Sequence, residues 1–237
     1  QVPIGANIID GYKADHGLPY GKRISARYPG VQFNQFAGAE MLAKKYALTQ
    51  DELNAFAFAS HVKAKRAVEE GRFKEEIVPI EIELEDGTRQ MHSQDEGIRL
   101  DATLGAIAGL QPLQENGLLS AANASQICDG ASAVMIANGA TCKRLGLKPL
   151  ARIVAMSVIG SDPVIMLEGP IPATRKVLEK AGMTLDQIDL FEVNEAFGSV
   201  PLAWAKALGA DLDKLNVNGG AQALGHPLGG TGAKLMT

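Results

Sequence analysis

Apolar residues along the first half of the chain recur first at the spacing of one helix face and then at that of one strand face. Residues 39–46 carry the helical spacing. Thr49, with Glu52 three positions on, forms a capping box. The helix it opens runs to Gly71, with Leu53, Phe56, Ala57, Ser60, Ala64, Ala67 and Val68 as its buried stripe. Its lysines and arginines read as a solvated face, and His61, beside the stripe, reads as structural. Residues 77–84 alternate instead, placing Val78, Ile80, Ile82 and Leu84 on one side. Asp86-Gly87 turns this run into a second strand through Gln90, which makes a β-hairpin. His92 falls beyond it at a solvated position. Residues 1–37 read as loop-rich, because Gly5, Gly11, Gly17, Pro19, Gly21, Pro29 and Gly30 break every apolar run; His16 there reads as a surface residue.

From Asp129 onward the texture changes. Residues 131–137 and 150–158 read as apolar strands, with a helix over 141–145 between them. A helix over 173–181, a strand over 188–193, a helix over 195–208 and a strand over 215–217 follow, and a further helix is entered at Thr231. Strands that alternate with helices in this way predict an α/β fold, a parallel sheet with covering helices.

Composition narrows the classes of function. With 237 residues, 46% of them hydrophobic, the chain has ample material for a core, as one large or two smaller domains. A net charge of −4 without a Lys/Arg-rich cluster argues against nucleic acid as a partner, though a local basic patch for a phosphorylated ligand is compatible with it. The longest apolar runs fall far short of the ~20 residues of a membrane-spanning helix. Two cysteines, Cys128 and Cys142, give neither a disulfide framework nor a metal spacing, which fits a reducing compartment. The chain opens on Gln1-Val2-Pro3-Ile4 without an initiator methionine and stops inside a helical pattern at Thr237, which reads as a piece of a longer protein.

Candidate chemistry concentrates in two stretches. In Asn216-Val217-Asn218-Gly219-Gly220-Ala221-Gln222-Ala223-Leu224-Gly225-His226-Pro227-Leu228-Gly229-Gly230-Thr231-Gly232, a short apolar piece runs into a glycine-dense loop that presents one imidazole ahead of a helix. Glycines let backbone amides approach a ligand closely, and Pro227 fixes the backbone just after His226. The residues alone leave two readings: a rigidly held general base, or a histidine of a tight loop that is exposed or satisfied in a core. In the second stretch, Asn194-Glu195-Ala196-Phe197 follows the strand at 188–193, and a polar pair at a strand end is where α/β folds place chemistry. Neither Gly-x-x-x-x-Gly-Lys-Ser/Thr nor Gly-x-Gly-x-x-Gly occurs, so nucleotide hydrolysis has no support.

Together these stretches resemble the thiolase family, through an Asn-Glu-Ala-Phe motif and an Asn-Gly-Gly...Gly-His-Pro-x-Gly-x-x-Gly motif in the family's order. Two further blocks support the resemblance: Gly169-Pro170-Ile171-Pro172-Ala173, and Asn123-Ala124-Ser125 followed by Asp129-Gly130-Ala131. The resemblance implies an α/β fold of five layers, αβαβα, here incomplete. It assigns residues 1–123 to an inserted loop domain over the coenzyme A cleft, 124–160 to the end of the first thiolase half and 161–237 to the first part of the second.

The resemblance also implies a reaction: thiolytic cleavage of 3-oxoacyl-CoA by CoA, or the reverse Claisen condensation of two acyl-CoA units, in fatty-acid or related lipid degradation. The alternative is a non-catalytic acyl-CoA- or lipid-binding relative. Such chemistry needs a nucleophile to hold the acyl group, a base, and donors for two developing oxyanions. By resemblance His226 activates a nucleophilic cysteine and donates to the thioester oxygen, while Asn194 holds a water that completes that oxyanion site. Glu195 and Gly225 support them, Phe197 lines the acyl pocket or packs in the core, and Ala155 stands where some members carry a CoA-binding serine. The family's two catalytic cysteines precede and follow the matched region. Cys128, weighed as a substitute nucleophile, matches neither and reads as a small buried hydrophobe. CoA is implied as substrate, with no covalently bound cofactor and no metal. The implied assembly is a homodimer or tetramer, with a β-oxidation complex as a further partner, in a bacterial cytoplasm or, in a eukaryote, in mitochondria or peroxisomes.

Overall fold

The computed structural model describes residues 20–237 together with Lys13; His16 lies outside them. Helix α1 (Lys22–Arg27) interrupts the region expected to be all loop, and none of its residues is buried. Helix α2 (Gln35–Lys45) starts four residues earlier than its apolar pattern, because the Asn34 side chain accepts hydrogen bonds from Phe36 N and Ala37 N and caps it there. Helix α3 (Gln50–Glu69) carries the predicted capping box: Glu52 N donates to Thr49 Oγ1 and Thr49 N to Glu52 Oε2. Its buried face is Leu53, Asn54, Ala57, Ser60, His61, Ala64 and Ala67.

The hairpin forms from β1 (Ile80–Glu83) and β2 (Arg89–His92), antiparallel, with Ile80 opposite His92 and Glu83 opposite Arg89. His92 is thus a strand residue, half-buried, and not a solvated one beyond the hairpin. Asp86 Oδ1 accepts from Thr88 N and Oγ1, and Gly87 takes φ +81°, which closes the turn. The hairpin's apolar side is not covered: Val78 is 81% and Ile80 61% exposed.

Short helix α4 (Leu104–Ala108) is capped by Thr103, and α5 (Gly139–Leu145) by Asn138, with Gly146 left-handed at its end. Helix α6 (Pro170–Ala181) begins on a proline and stops at left-handed Gly182. Helix α7 (Ser199–Leu208) starts four residues later than expected, since Asn194 to Gly198 are drawn into hydrogen bonds with other segments. A four-residue turn, α8 (Ala221–Leu224), and α9 (Thr231–Met236) follow.

The parallel sheet is where structure and expectation part most. Among the described residues its one parallel pairing is Phe191 with Leu215, where Phe191 N donates to Lys214 O and Asn216 N to Phe191 O, both at 2.9 Å. Segments 131–137 and 150–158 form no strands, and Met135, Ile136, Val154, Met156 and Val158 are exposed. An apolar segment becomes a strand only when a neighbour takes up its backbone groups, and no described segment does so. The core lies elsewhere, where α2 and α7 pack over the 191–193 and 215 pair: Leu42, Leu53, Leu119, Ile171, Phe197, Trp204 and Leu215 are buried together. Trp204 meets the Phe191 ring edge to face and donates to Thr174 Oγ1 at 2.9 Å. Among the described residues no helix is long and apolar enough to cross a membrane.

Candidate active site

Phe191 and Leu215 lie side by side, so the segments leaving them run in the same direction and bring Asn194 toward the loop that carries His226. Asn194 Nδ2 lies 3.4 Å from His226 Nε2. On the other side of the ring, Nδ1 lies 2.7 Å from Thr231 Oγ1, and that hydroxyl donates to Pro227 O at 3.1 Å. A hydroxyl has one proton to give. The arrangement with that proton on the Pro227 carbonyl makes Thr231 an acceptor for His226 Nδ1–H, the tautomer that leaves the Nε2 lone pair free. The contact with Asn194 is long and leaves Nε2 available. Burial, and then the nearby Lys234 charge, hold the His226 pKa below the ordinary histidine value, which favours the neutral ring. Asn194 Oδ1 is buried with no partner among the described residues. The site therefore offers a neutral base and an amide oxygen that lacks its hydrogen bond.

Glu195 is 1% exposed, and its carboxylate bonds to neither of this pair. It accepts from Asn216 Nδ2 at 2.8 Å, Ser60 Oγ at 2.7 Å and Gln222 N at 3.1 Å. Burial pushes its carboxyl pKa up, against the pull of these donors. Asn216 is held by both strand groups of Val193: Val193 N donates to Asn216 Oδ1, and Asn216 Nδ2 to Val193 O, each at 2.9 Å. Gly220 packs on the Glu195 carboxyl with no room for a Cβ, and its N–H donates to Ser60 Oγ at 3.0 Å. Gly219 takes φ +81°, and a Cβ there would sit 2.6 Å from Ser60 O.

Helix α3 is the support behind this loop. Lys63 Nζ donates to Leu215 O at 2.8 Å and Arg66 Nη2 to Val217 O at 3.4 Å, so two cations expected on a solvated face hold backbone carbonyls instead. Long side chains on a helix flank reach such acceptors while their stems stay packed. His61, from the same helix, accepts from Arg99 N through Nδ1 at 3.1 Å, the structural role its position suggested.

Phe197 is 4% exposed, part of the core, and meets the exposed Phe36 ring edge to face. Gly225 takes φ +73° and lies against Cys128 Sγ, where no Cβ fits. The structure thus puts Cys128 directly behind the histidine loop, nearer than the sequence suggested, but burial raises its thiol pKa, the opposite of what activates a nucleophile. Ala155 is half-buried on the unpaired segment 150–158, away from any hydrogen bond to Asn194 or His226. Thr231, Ser60, Asn216, Gln126 and Gln222 were not singled out by the sequence reading. For Asn216 a weak signal existed, since asparagine is one of the few side chains that tolerate the left-handed φ of +46° that it adopts. An open cavity of about 460 Å³ lies at the end of the hairpin, lined by His92, Asp95 and Ile98 among others, and includes neither Asn194 nor His226. Among the described residues no three His, Cys, Asp or Glu side chains converge to hold a metal.

Family models and known relatives match the chain over most of its length. The family model described as "Thiolase, N-terminal domain" matches residues 30–140, and "Thiolase, C-terminal domain" matches 147–237. The steroid 3-ketoacyl-CoA thiolase FadA6 of Mycobacterium tuberculosis is 46% identical over 239 residues, covering 100% of this chain and 57% of that protein. An acetyl-CoA acetyltransferase of Pseudomonas aeruginosa is 47% identical over 199 residues, covering 84% of this chain and 51% of its own. The crystal structure of the Bacillus anthracis acetyl-CoA acetyltransferase superposes with a TM-score of 0.81 at 41% identity, over 88% of this chain and 53% of that one. The chain spans about half the length of the curated relatives it matches. With adjoining models of both thiolase domains, these relatives and this superposition in agreement, the chain belongs to the thiolase family.

Proposed function

We propose that the whole protein is an acyl-CoA C-acyltransferase that cleaves a 3-oxoacyl-CoA with CoA, or runs the reverse condensation. In this proposal His226 Nε2 takes the proton of a nucleophilic cysteine contributed from outside this chain. The same imidazole, once protonated, donates to the thioester oxygen. Asn194 Oδ1, buried and unpartnered, accepts from a water whose other side faces that oxygen. Glu195 and Gly225 act through the loop that carries the histidine, and Phe197 acts through the core. CoA is a substrate, no bound cofactor takes part, and the working assembly is a homodimer or tetramer. Residues 1–123 serve as the loop domain, 124–160 and 161–237 as parts of the two thiolase halves, and Ala155 sits at the CoA site with one hydroxyl fewer than a serine would offer.

The observation that carries this reading is the Thr231 hydroxyl 2.7 Å from His226 Nδ1, with Asn194 on the Nε2 side of the ring. A base for a thiol needs an unprotonated nitrogen on the substrate side; a Thr231 hydroxyl that accepts from Nδ1–H leaves Nε2 in that state, and burial, which lowers the ring's pKa, favours the neutral form. The test is acetoacetyl-CoA thiolysis by the whole protein and its His226→Asn variant. Loss of one oxyanion donor alone lowers kcat by ~10²–10³, and loss of the base adds to that, with KM little changed. Near-normal kcat in folded His226→Asn would defeat the proposal. Wild-type protein that binds acyl-CoA without turnover would favour the non-catalytic alternative.

A further inference from the structure

Helix α8 has only four residues, so its carbonyls lack partners along its own axis and must be satisfied from elsewhere. Gly225 N, next in sequence, donates to Ala221 O at 3.0 Å, and Lys234 Nζ donates to Leu224 O at 2.6 Å. The carbonyls between them fall to one residue from a distant part of the chain. Gln126 Nε2 donates to Gln222 O at 2.9 Å, with Ala223 O at 3.4 Å. The second hydrogen of the same amide goes to Gly97 O at 2.6 Å. The Gln126 backbone adds two contacts: its N–H donates to Ala221 O at 3.4 Å, and its carbonyl accepts from the N–H of His226 at 3.1 Å. One residue thus grips the histidine loop at its start, along α8, and at the histidine itself. The packing leaves little slack, since a Cβ on Gly97 would lie 2.7 Å from Ala223 O.

We infer that Gln126 is a positioning residue for His226, an external cap on α8 whose side-chain amide sets the backbone from which the imidazole reaches Asn194. The inference rests on the reading of His226 as the base. The side chain has to be a primary amide: two hydrogens meet two carbonyls on different segments, while a carboxylate of the same shape would face those oxygens with no proton to offer. When the cap is lost, the Gln222 carbonyl has no partner and the α8 turn unwinds toward water. The His226 N–H then leaves the Gln126 carbonyl, and the Nδ1 contact with Thr231 loosens.

The experiment compares Gln126→Met, which keeps the length and removes both donors, with wild type and His226→Asn in the whole protein. Kinetics are read on acetoacetyl-CoA and CoA, and the His226 tautomer by nitrogen-15 NMR of labelled histidine, assigned with His226→Asn. Displacing a catalytic group by about 1 Å costs on the order of 10²-fold in rate, so kcat is expected to fall by up to that factor with KM nearly constant, and the single Nδ1–H form to give way to a mixture. A purely structural role would lower the thermal midpoint yet leave kcat and tautomer of the folded fraction at wild-type values, and that result overturns the inference. If Gln126→Met does not fold, Gln126→Glu carries the test: its acid form donates one hydrogen bond and its ionised form none. The His226 tautomer ratio is then expected to follow that ionisation, and a ratio constant through it overturns the inference. Normal turnover in His226→Asn would sink the reading of the base; impaired His226→Asn beside unimpaired Gln126→Met would sink only the positioning role.

Discussion

Replacing Glu195 with alanine removes the acceptor shared by three buried donors. Ser60 Oγ, Asn216 Nδ2 and Gln222 N reach that carboxylate at 2.7, 2.8 and 3.1 Å, and no water from outside has access to a group 1% exposed. A buried donor without a partner costs about 1–3 kcal/mol. Asn216 still donates to Val193 O, and the Ser60 hydroxyl still accepts from Gly220 N, so these two are taken at the low end and Gln222 N in the middle of the range. That gives about 4 kcal/mol. Against it stands relief from desolvating the carboxylate, the cause of its raised pKa, so the net loss is about 2–4 kcal/mol. Glu195→Gln is expected to cost less, about 1–2 kcal/mol: turned to keep Ser60 and Gln222, its amide nitrogen faces Asn216 Nδ2, one donor against another. The assay is urea unfolding of the whole protein followed by circular dichroism, with the midpoint shift read at constant slope. Ser60→Ala alone and combined with Glu195→Ala closes a cycle whose coupling is expected at about 1–2 kcal/mol. A Glu195→Ala protein within about 1 kcal/mol of wild type, or a cycle with no coupling, would refute the argument that this carboxylate organises the loop.

Two further outcomes follow from the same geometry. His61 and His226 both have folded-state pKa values pushed below the ordinary histidine value, mainly by burial, so the unfolded chain binds more protons as pH falls through that value. Stability is therefore expected to be full above the ordinary histidine pKa of ~6.5 and to decline below it; the His61→Gln variant should lose part of this slope, and an unchanged slope would contradict it. Gly219→Ala combines a residue forced to φ +81° with a Cβ 2.6 Å from Ser60 O and 2.7 Å from the Ala64 side chain, so a loss of about 2–4 kcal/mol in the same unfolding assay is expected, and a loss under about 1 kcal/mol would mean the loop is not pressed on α3.

The elements most legible in the sequence are those whose cause is local. Thr49 and Glu52 lie within one helical turn of each other, and Asp86-Gly87 specifies its own turn, so both could be placed from a few residues. Segments 131–137 and 150–158 have the composition of strands, but a ladder is a property of two segments, and composition names only one of them. The site divides the same way. Asn194 and His226 were found through motifs, whereas the contact between them spans 32 residues of sequence and no spacing rule marks it. Thr231 was visible only as a helix start; that it accepts from the imidazole depends on where its own proton goes. The side chains of Gln126 and Ser60 act on partners up to 97 and 160 residues away, and a single polar residue in an ordinary segment carries no local sign of that.

Helix α3, which falls within the stretch 1–123 proposed as the loop domain, stands behind the histidine loop as its support. Its Ser60 binds both Glu195 and Gly220, its Ala64 packs under Gly219, and its Lys63 and Arg66 hold the carbonyls of Leu215 and Val217. Arg72, just past its end, donates to Asn218 Oδ1 at 2.9 Å. Between Leu215 and Gly220 the helix therefore holds Leu215, Val217, Gly219 and Gly220, and Gln126 meets Ala221, Gln222, Ala223 and His226 beyond them. Two neighbouring supports in series have a physical consequence. A displacement of α3 acts first on the glycines and Glu195, and reaches α8 only through the packing of Ala64 on Ala223. A displacement of Gln126 acts on the ring directly. Stability is thus governed mainly through α3 and the geometry of the base through Gln126, which is why the Glu195 and Gln126 variants are read by unfolding in one case and by rate and tautomer in the other.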